Sequence, residues 1–159
     1  MKATHHTTFY KVTVSLFAAL WGFAALSKLT DIGRTRIEMD KQVFSKDIGA
    51  WVFWIVPCVE LIVALLLAMP RRRRLGLQAS LALMSLFSGY FASVLTGVFG
   101  FVPCFTVGIF TGWGHGQHLL FNMIFVALAT TALVLTHKNR QQDGAHLQAG
   151  RKEDTAFID

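Results

Sequence analysis

Four long stretches of the chain carry almost no charge: Val12–Leu29, Ile48–Met69, Leu75–Phe99 and Leu119–Thr136. None alternates with the period of two that a half-buried strand would show. Each instead reaches the roughly 17 to 25 apolar residues a helix rising ~1.5 Å per residue needs to cross ~30 Å of hydrocarbon. The pattern predicts an all-α protein, a bundle of four transmembrane helices forming one domain over 1–137. Pro70 follows the second run, where a residue lacking an N–H ends a helix. Residues 138–159 are polar, mixed in charge and without apolar periodicity, and read as a disordered tail. Between the first two runs, Thr30–Asp47 holds charges of both signs around Ile37, Met39, Val43 and Phe44, a weak signature of a short interfacial helix.

Composition strengthens the membrane reading. The 159 residues are 53% hydrophobic, more apolar surface than a chain of this length can hide from water. The net charge of +6 raises the question of nucleic acid, but the placement of the cations answers it. Arg71–Arg74 lie between the second and third runs, Lys2 and Lys11 precede the first, and Lys138, Arg140, Arg151 and Lys152 follow the fourth. With both termini cytoplasmic, ten basic residues lie inside and five outside, Lys28 at the edge and four in the Thr30–Asp47 loop. That is the bias of the positive-inside rule, so the arginines read as a topology anchor in a multi-pass protein of the cytoplasmic (inner) membrane. The first run is longer than the ~7 to 15 residues of a signal-peptide core and lacks a clear cleavage site, so it reads as an uncleaved anchor.

Few residues carry chemistry. Glu60 lies twelve positions beyond Ile48, ~18 Å along its helix and near mid-membrane, where a carboxylate must be paired, protonated or hydrated. It reads either as a proton-handling or substrate-contacting group, or as a structural contact to Lys28, His118 or Asn122. Lys28, at a helix edge, has a stem long enough to turn inward. His118 and Asn122 are four apart and share a helix face. Cys104, His115 and His118 are too loosely spaced for a recognisable metal site, and none is predicted. Cys104 stands in the glycine-rich bridge 100–118, on the outer, oxidising side under this topology, and Cys58 is its only potential intramolecular partner. Two inert thiols, a Cys58–Cys104 disulfide and a Cys104 that captures a partner all remain open. Ser85, Gly89, Ser93 and Gly97 make a small-residue stripe on the third run, with a shorter one at Ala18 and Gly22; both read as packing surfaces of the bundle.

The segments "LWGFAALSKLTD", "WVFWIVPCVELIVALLL", "RRRRLGLQASLALMSLFSGY" and "FVPCFTVG…HLLFNMIFVALA", in that order and spacing, resemble the methylamine utilisation protein MauE group of the DoxX-like membrane proteins. The likeness covers about residues 9–135. It implies a four-helix membrane protein, both termini inside, that helps to assemble periplasmic redox enzymes, notably by aiding disulfide formation in the methylamine dehydrogenase small subunit. Lys28, Glu60, His118 and Asn122 match the group's polar positions. Where members carry Pro-Cys-x-Cys-Gly-Gly, this chain reads Pro103-Cys104-Phe105-Thr106-Val107-Gly108. Cys104 matches the first cysteine and Thr106 replaces the second, so a vicinal dithiol is absent.

The leading expectation is therefore an accessory membrane protein, more an assembly factor than an enzyme. It would work with a periplasmic or membrane redox partner in the bilayer, without nucleic acid, and with oligomerisation open. No cofactor is evident. Two alternatives differ in class: a thiol oxidoreductase passing electrons from Cys104 to a membrane quinone, and a small transporter using Glu60 and Lys28. The missing resolving thiol counts against the first, and the lack of visible inverted repeats against the second.

Overall fold

A computed structural model of the chain describes residues 2–39, 45–97 and 113–156. Among these it is built of helices: α1 (Lys2–Thr30), α2 (Ile32–Met39), α3 (Lys46–Ala68), α4 (Arg73–Leu95) and α5 (His115–Ala156). Four of them contain segments long and apolar enough to span a membrane: Thr7–Thr30, Asp47–Ala68, Arg73–Leu95 and His115–Lys138. The predicted four-helix transmembrane bundle is what the chain forms. α2 is the short helix anticipated between the first two spans, and it packs on α1 and α3.

α1 packs along α3 and α4 along α5, while α3 meets α4 and α1 meets α5 to close the ring. Through its centre runs a core of Phe17, Trp21, Val63, Leu67, Leu77, Met84, Ala129 and Ala132. Two contacts fix the relative heights of the helices. Phe17 of α1 meets Phe125 of α5 edge-on, with ring centroids 5.1 Å apart. Trp21 donates from its indole Nε1 to Ser80 Oγ of α4 at 3.0 Å, and that hydroxyl donates in turn to the Gly76 carbonyl at 2.8 Å. Inside lipid a buried indole N–H needs such an acceptor, because no water competes for it.

The turn between α3 and α4 is tight. Met69 N–H reaches back to the Leu65 carbonyl and Arg72 N–H to the Met69 carbonyl. The close approach is possible because position 76 is glycine: a Cβ there would lie 2.9 Å from both Leu67 Cγ and the Leu67 backbone nitrogen.

Three expectations need correction. The Ser85–Gly89–Ser93–Gly97 stripe does not pack the bundle, since Ser85, Gly89 and Gly97 are exposed and a Cβ on Gly89 would meet nothing within 4 Å. The inward stripe of α4 is Gly76, Ser80, Met84 and Ser88, chosen by the Trp21–Ser80 bond and the Gly76–Leu67 contact. Nor does the shorter pair give Gly22 a close neighbour: a Cβ there also meets nothing within 4 Å. Finally, the tail continues α5 to Ala156 rather than being structureless. Residues 137–149 are mostly good helix formers with no proline, so nothing in the chain stops the helix. α1 likewise extends back to Lys2, well before the apolar run begins, with no proline to stop it.

Candidate functional site

Glu60 is buried, 2% exposed, on the inner face of α3. Pro57, one turn earlier in the same helix, removes the N–H that would have bonded the Phe53 carbonyl, an interruption membrane helices tolerate. From α1, Lys28 sends its ammonium to both carboxylate oxygens, Nζ–Oε1 2.9 Å and Nζ–Oε2 3.0 Å. A third bond from the same Nζ goes to the Ala24 carbonyl at 3.2 Å, so all three ammonium donors are used. The lysine therefore turns back along its own helix to reach Glu60 rather than snorkelling outward, and only 16% of its side chain is exposed.

The α1 end of this pair is fixed by α2. Thr35, 1% exposed, donates its hydroxyl to the Asp31 carbonyl at 2.8 Å, with the Lys28 carbonyl, one of the acceptors that the last turn of α1 leaves open, 3.3 Å from the same oxygen. The apolar pattern does not single out Thr35. Its signal in the sequence is a β-branched hydroxyl four residues after Asp31, a spacing many solvent-facing threonines share.

His118 and Asn122 are also buried, 7% and 6% exposed, one turn apart on α5. The helix starts four residues earlier than its apolar run because Gly114 and Gln117 cap it: the Gln117 side-chain oxygen accepts from Gly114 N–H at 2.9 Å, half of a capping box. His118 then falls in the first turn, stacked on Phe91 of α4 (centroids 5.3 Å, planes 20° apart) and against Trp113 at 5.5 Å. Asn122 Nδ2 is buried with no hydrogen-bond partner among the described residues, which costs about 1–3 kcal/mol unless an acceptor arrives.

These two halves lie in one layer. Ala24, whose carbonyl holds the Lys28 ammonium, is seven positions after Phe17, and His118 is seven positions before Phe125 on the antiparallel helix. At ~1.5 Å per residue both lie ~10 Å to the same side of the Phe17–Phe125 contact. A second set of contacts agrees. Trp21 meets Phe87 at 6.2 Å, and one turn further along α4 is Phe91, the residue stacked on His118. The bundle thus carries, toward one end, a polar layer of an ion pair on α1 and α3 and an imidazole and carboxamide on α5.

Of the remaining candidates, Cys58 is exposed on α3, a free thiol two positions from Glu60 and hence on nearly the opposite face of the helix. Cys104 lies outside the described residues. Among the described residues no three His, Cys, Asp or Glu side chains come together as a metal set. A Lys–Glu pair, an imidazole and a carboxamide in a low-dielectric layer can hold a buried charge, pass a proton or orient a polar ligand.

The profile of a protein family described as "Methylamine utilisation protein MauE" matches residues 6–135, which include the first three apolar spans, the fourth as far as Leu135, and the whole polar layer. No curated protein and no solved structure matches the chain.

Proposed function

The chain belongs to the methylamine utilisation protein MauE family, and from that membership we propose that it is an accessory protein of the cytoplasmic membrane that assists maturation of a periplasmic redox enzyme, including its disulfides. The observation that carries this reading is the match over residues 6–135, which takes in the Pro103–Gly108 segment as well as the bundle. In this reading both termini are cytoplasmic and the 98–112 connection faces the periplasm. Cys104 is then placed where client thiols are oxidised. Its thiolate attacks a client disulfide: one S–S bond breaks, a mixed disulfide forms, and the client's other sulfur leaves as a thiolate. A client thiolate resolves the mixed bond, because Thr106 cannot. The exchange consumes no electrons, so it reshuffles disulfides rather than creating them.

The polar layer supports the same reading in a different way. It ties α1 to α3 at the bundle end nearest the connection through one ion pair. Thiol trapping in intact membranes tests the proposal. Under non-reducing conditions the wild-type chain should run partly as a larger, reductant-sensitive species, and Cys104→Ser should abolish that species without altering thermal stability. A Cys104 that captures no protein under those conditions removes the thiol from the mechanism.

A further inference from the structure

The turn between α3 and α4 carries a charge that nothing among the described residues balances. Arg71, Arg72 and Arg74 are exposed and Arg73 is half-buried, and none of the four makes an ion pair or side-chain hydrogen bond among the described residues. Arg73 Nε is buried without an acceptor among the described residues. Acids are absent from the sequence between Glu60 and Asp143, so the turn and the helix ends that flank it hold no carboxylate of their own. Topology alone needs basic residues here, but it does not need them unpaired.

Depth brings in a fifth cation. Arg73 is seven positions before Ser80 on α4, ~10 Å along the helix, and Lys11 is ten positions before Trp21 on α1, ~15 Å. Because Trp21 and Ser80 are bonded, Arg73 and Lys11 lie toward the same end of the bundle and within one headgroup layer of each other. The apolar residues bracketing the turn, Met69 and Leu75, are 46% and 51% exposed, so the arginines begin where acyl-chain contact ends. The 23-residue helix α4 also starts here, with Arg72 at its N-cap, no side-chain cap and no acid in its first turn. Its unbonded N–H groups face the same layer and favour an anion.

The geometry points to a binding site for the phosphate of an anionic phospholipid at the Arg71–Arg74 turn. Guanidiniums match phosphate oxygens two at a time, the start of α4 adds backbone donors, and Lys11 adds a point charge. The phosphate of a lipid reaches this depth because its acyl chains lie against Met69 and Leu75; a free phosphate has no such tether. The inference is independent of the proposed function and of which leaflet the turn faces.

The test uses the full chain in nanodiscs of phosphatidylcholine alone, of phosphatidylcholine with phosphatidylglycerol, and of phosphatidylcholine with inorganic phosphate in solution. Lipid retained after transfer to detergent is counted by native mass spectrometry, with thermal unfolding as a second readout. The wild-type chain should retain phosphatidylglycerol over phosphatidylcholine and unfold at higher temperature in its presence, while inorganic phosphate should do neither. Arg72→Gln and Arg74→Gln, each leaving three arginines to hold topology, should each weaken phosphatidylglycerol retention about fivefold. Arg36→Gln, on α2 at the other end of the bundle, should leave it unchanged. Equal retention of the two lipids, undiminished retention in both arginine variants, or the same stabilisation by inorganic phosphate would overturn the site.

Discussion

At the residue scale, the Lys28–Glu60 pair has a property that separates it from a surface salt bridge. A surface pair is worth ~0–1 kcal/mol because water competes for both partners. Here the carboxylate is 2% exposed, so removing one partner leaves a charge with nowhere to go. Lys28→Met or Glu60→Leu alone should destabilise the bundle by about 3–5 kcal/mol, and the double variant should recover much of that loss. Thermal unfolding of the four proteins in detergent forms the cycle, and equal, additive losses would show that the two side chains do not depend on each other. Glu60→Gln should fall between, because it keeps an acceptor for the ammonium but loses the charge. Glu60 and Lys28 are legible in the sequence alone as a problem, since a charge in an apolar run demands an explanation. The sequence offers Lys28, His118 and Asn122 as alternative contacts of Glu60; that Lys28 is the one bonded while the other two share the layer is not legible there. It depends on the register of α1 against α5, set by one ring contact between residues far apart in the sequence.

At the scale of the element, α4 shows what an apolar run reveals and what it conceals. Its length announces a span, because lipid leaves the backbone no partner but itself. Its facing is another matter, since two stripes of small residues wind up the same helix. Ser85, Gly89 and Ser93 look the better packing motif, yet the face turned inward is the one whose Ser80 receives Trp21 and whose Gly76 admits Leu67. Tertiary contacts decide between two locally similar choices. Paired substitutions test this directly: Gly76→Ala forces a Cβ against the Leu67 backbone and should lower stability by about 1–3 kcal/mol, as overpacking does. Gly89→Ala, in open space, should be neutral or slightly stabilising, because alanine is the better helix former. Trp21→Phe should cost about 1 kcal/mol through the lost bond to Ser80, readable in the same unfolding experiment.

At the scale of the whole molecule, a multi-pass membrane bundle of the MauE family is joined to a proposed role in a partner's maturation. Orientation is the first link. Cysteine-labelling reagents that do not cross membranes should reach a cysteine placed at Gly112 in intact spheroplasts but not one placed at Arg72. The reverse pattern would put the 98–112 connection in a reducing compartment and remove the chemistry proposed for Cys104. The most direct test of the role itself is made in the native host. In cells lacking this chain, the cysteines of the periplasmic redox client, the methylamine dehydrogenase small subunit where the host makes one, are scored by alkylation and gel shift. The expected result is oxidised but mispaired client, restored to its native disulfides by the wild-type gene. A client that reaches its native disulfide pattern at the normal rate without the chain would contradict the proposed role.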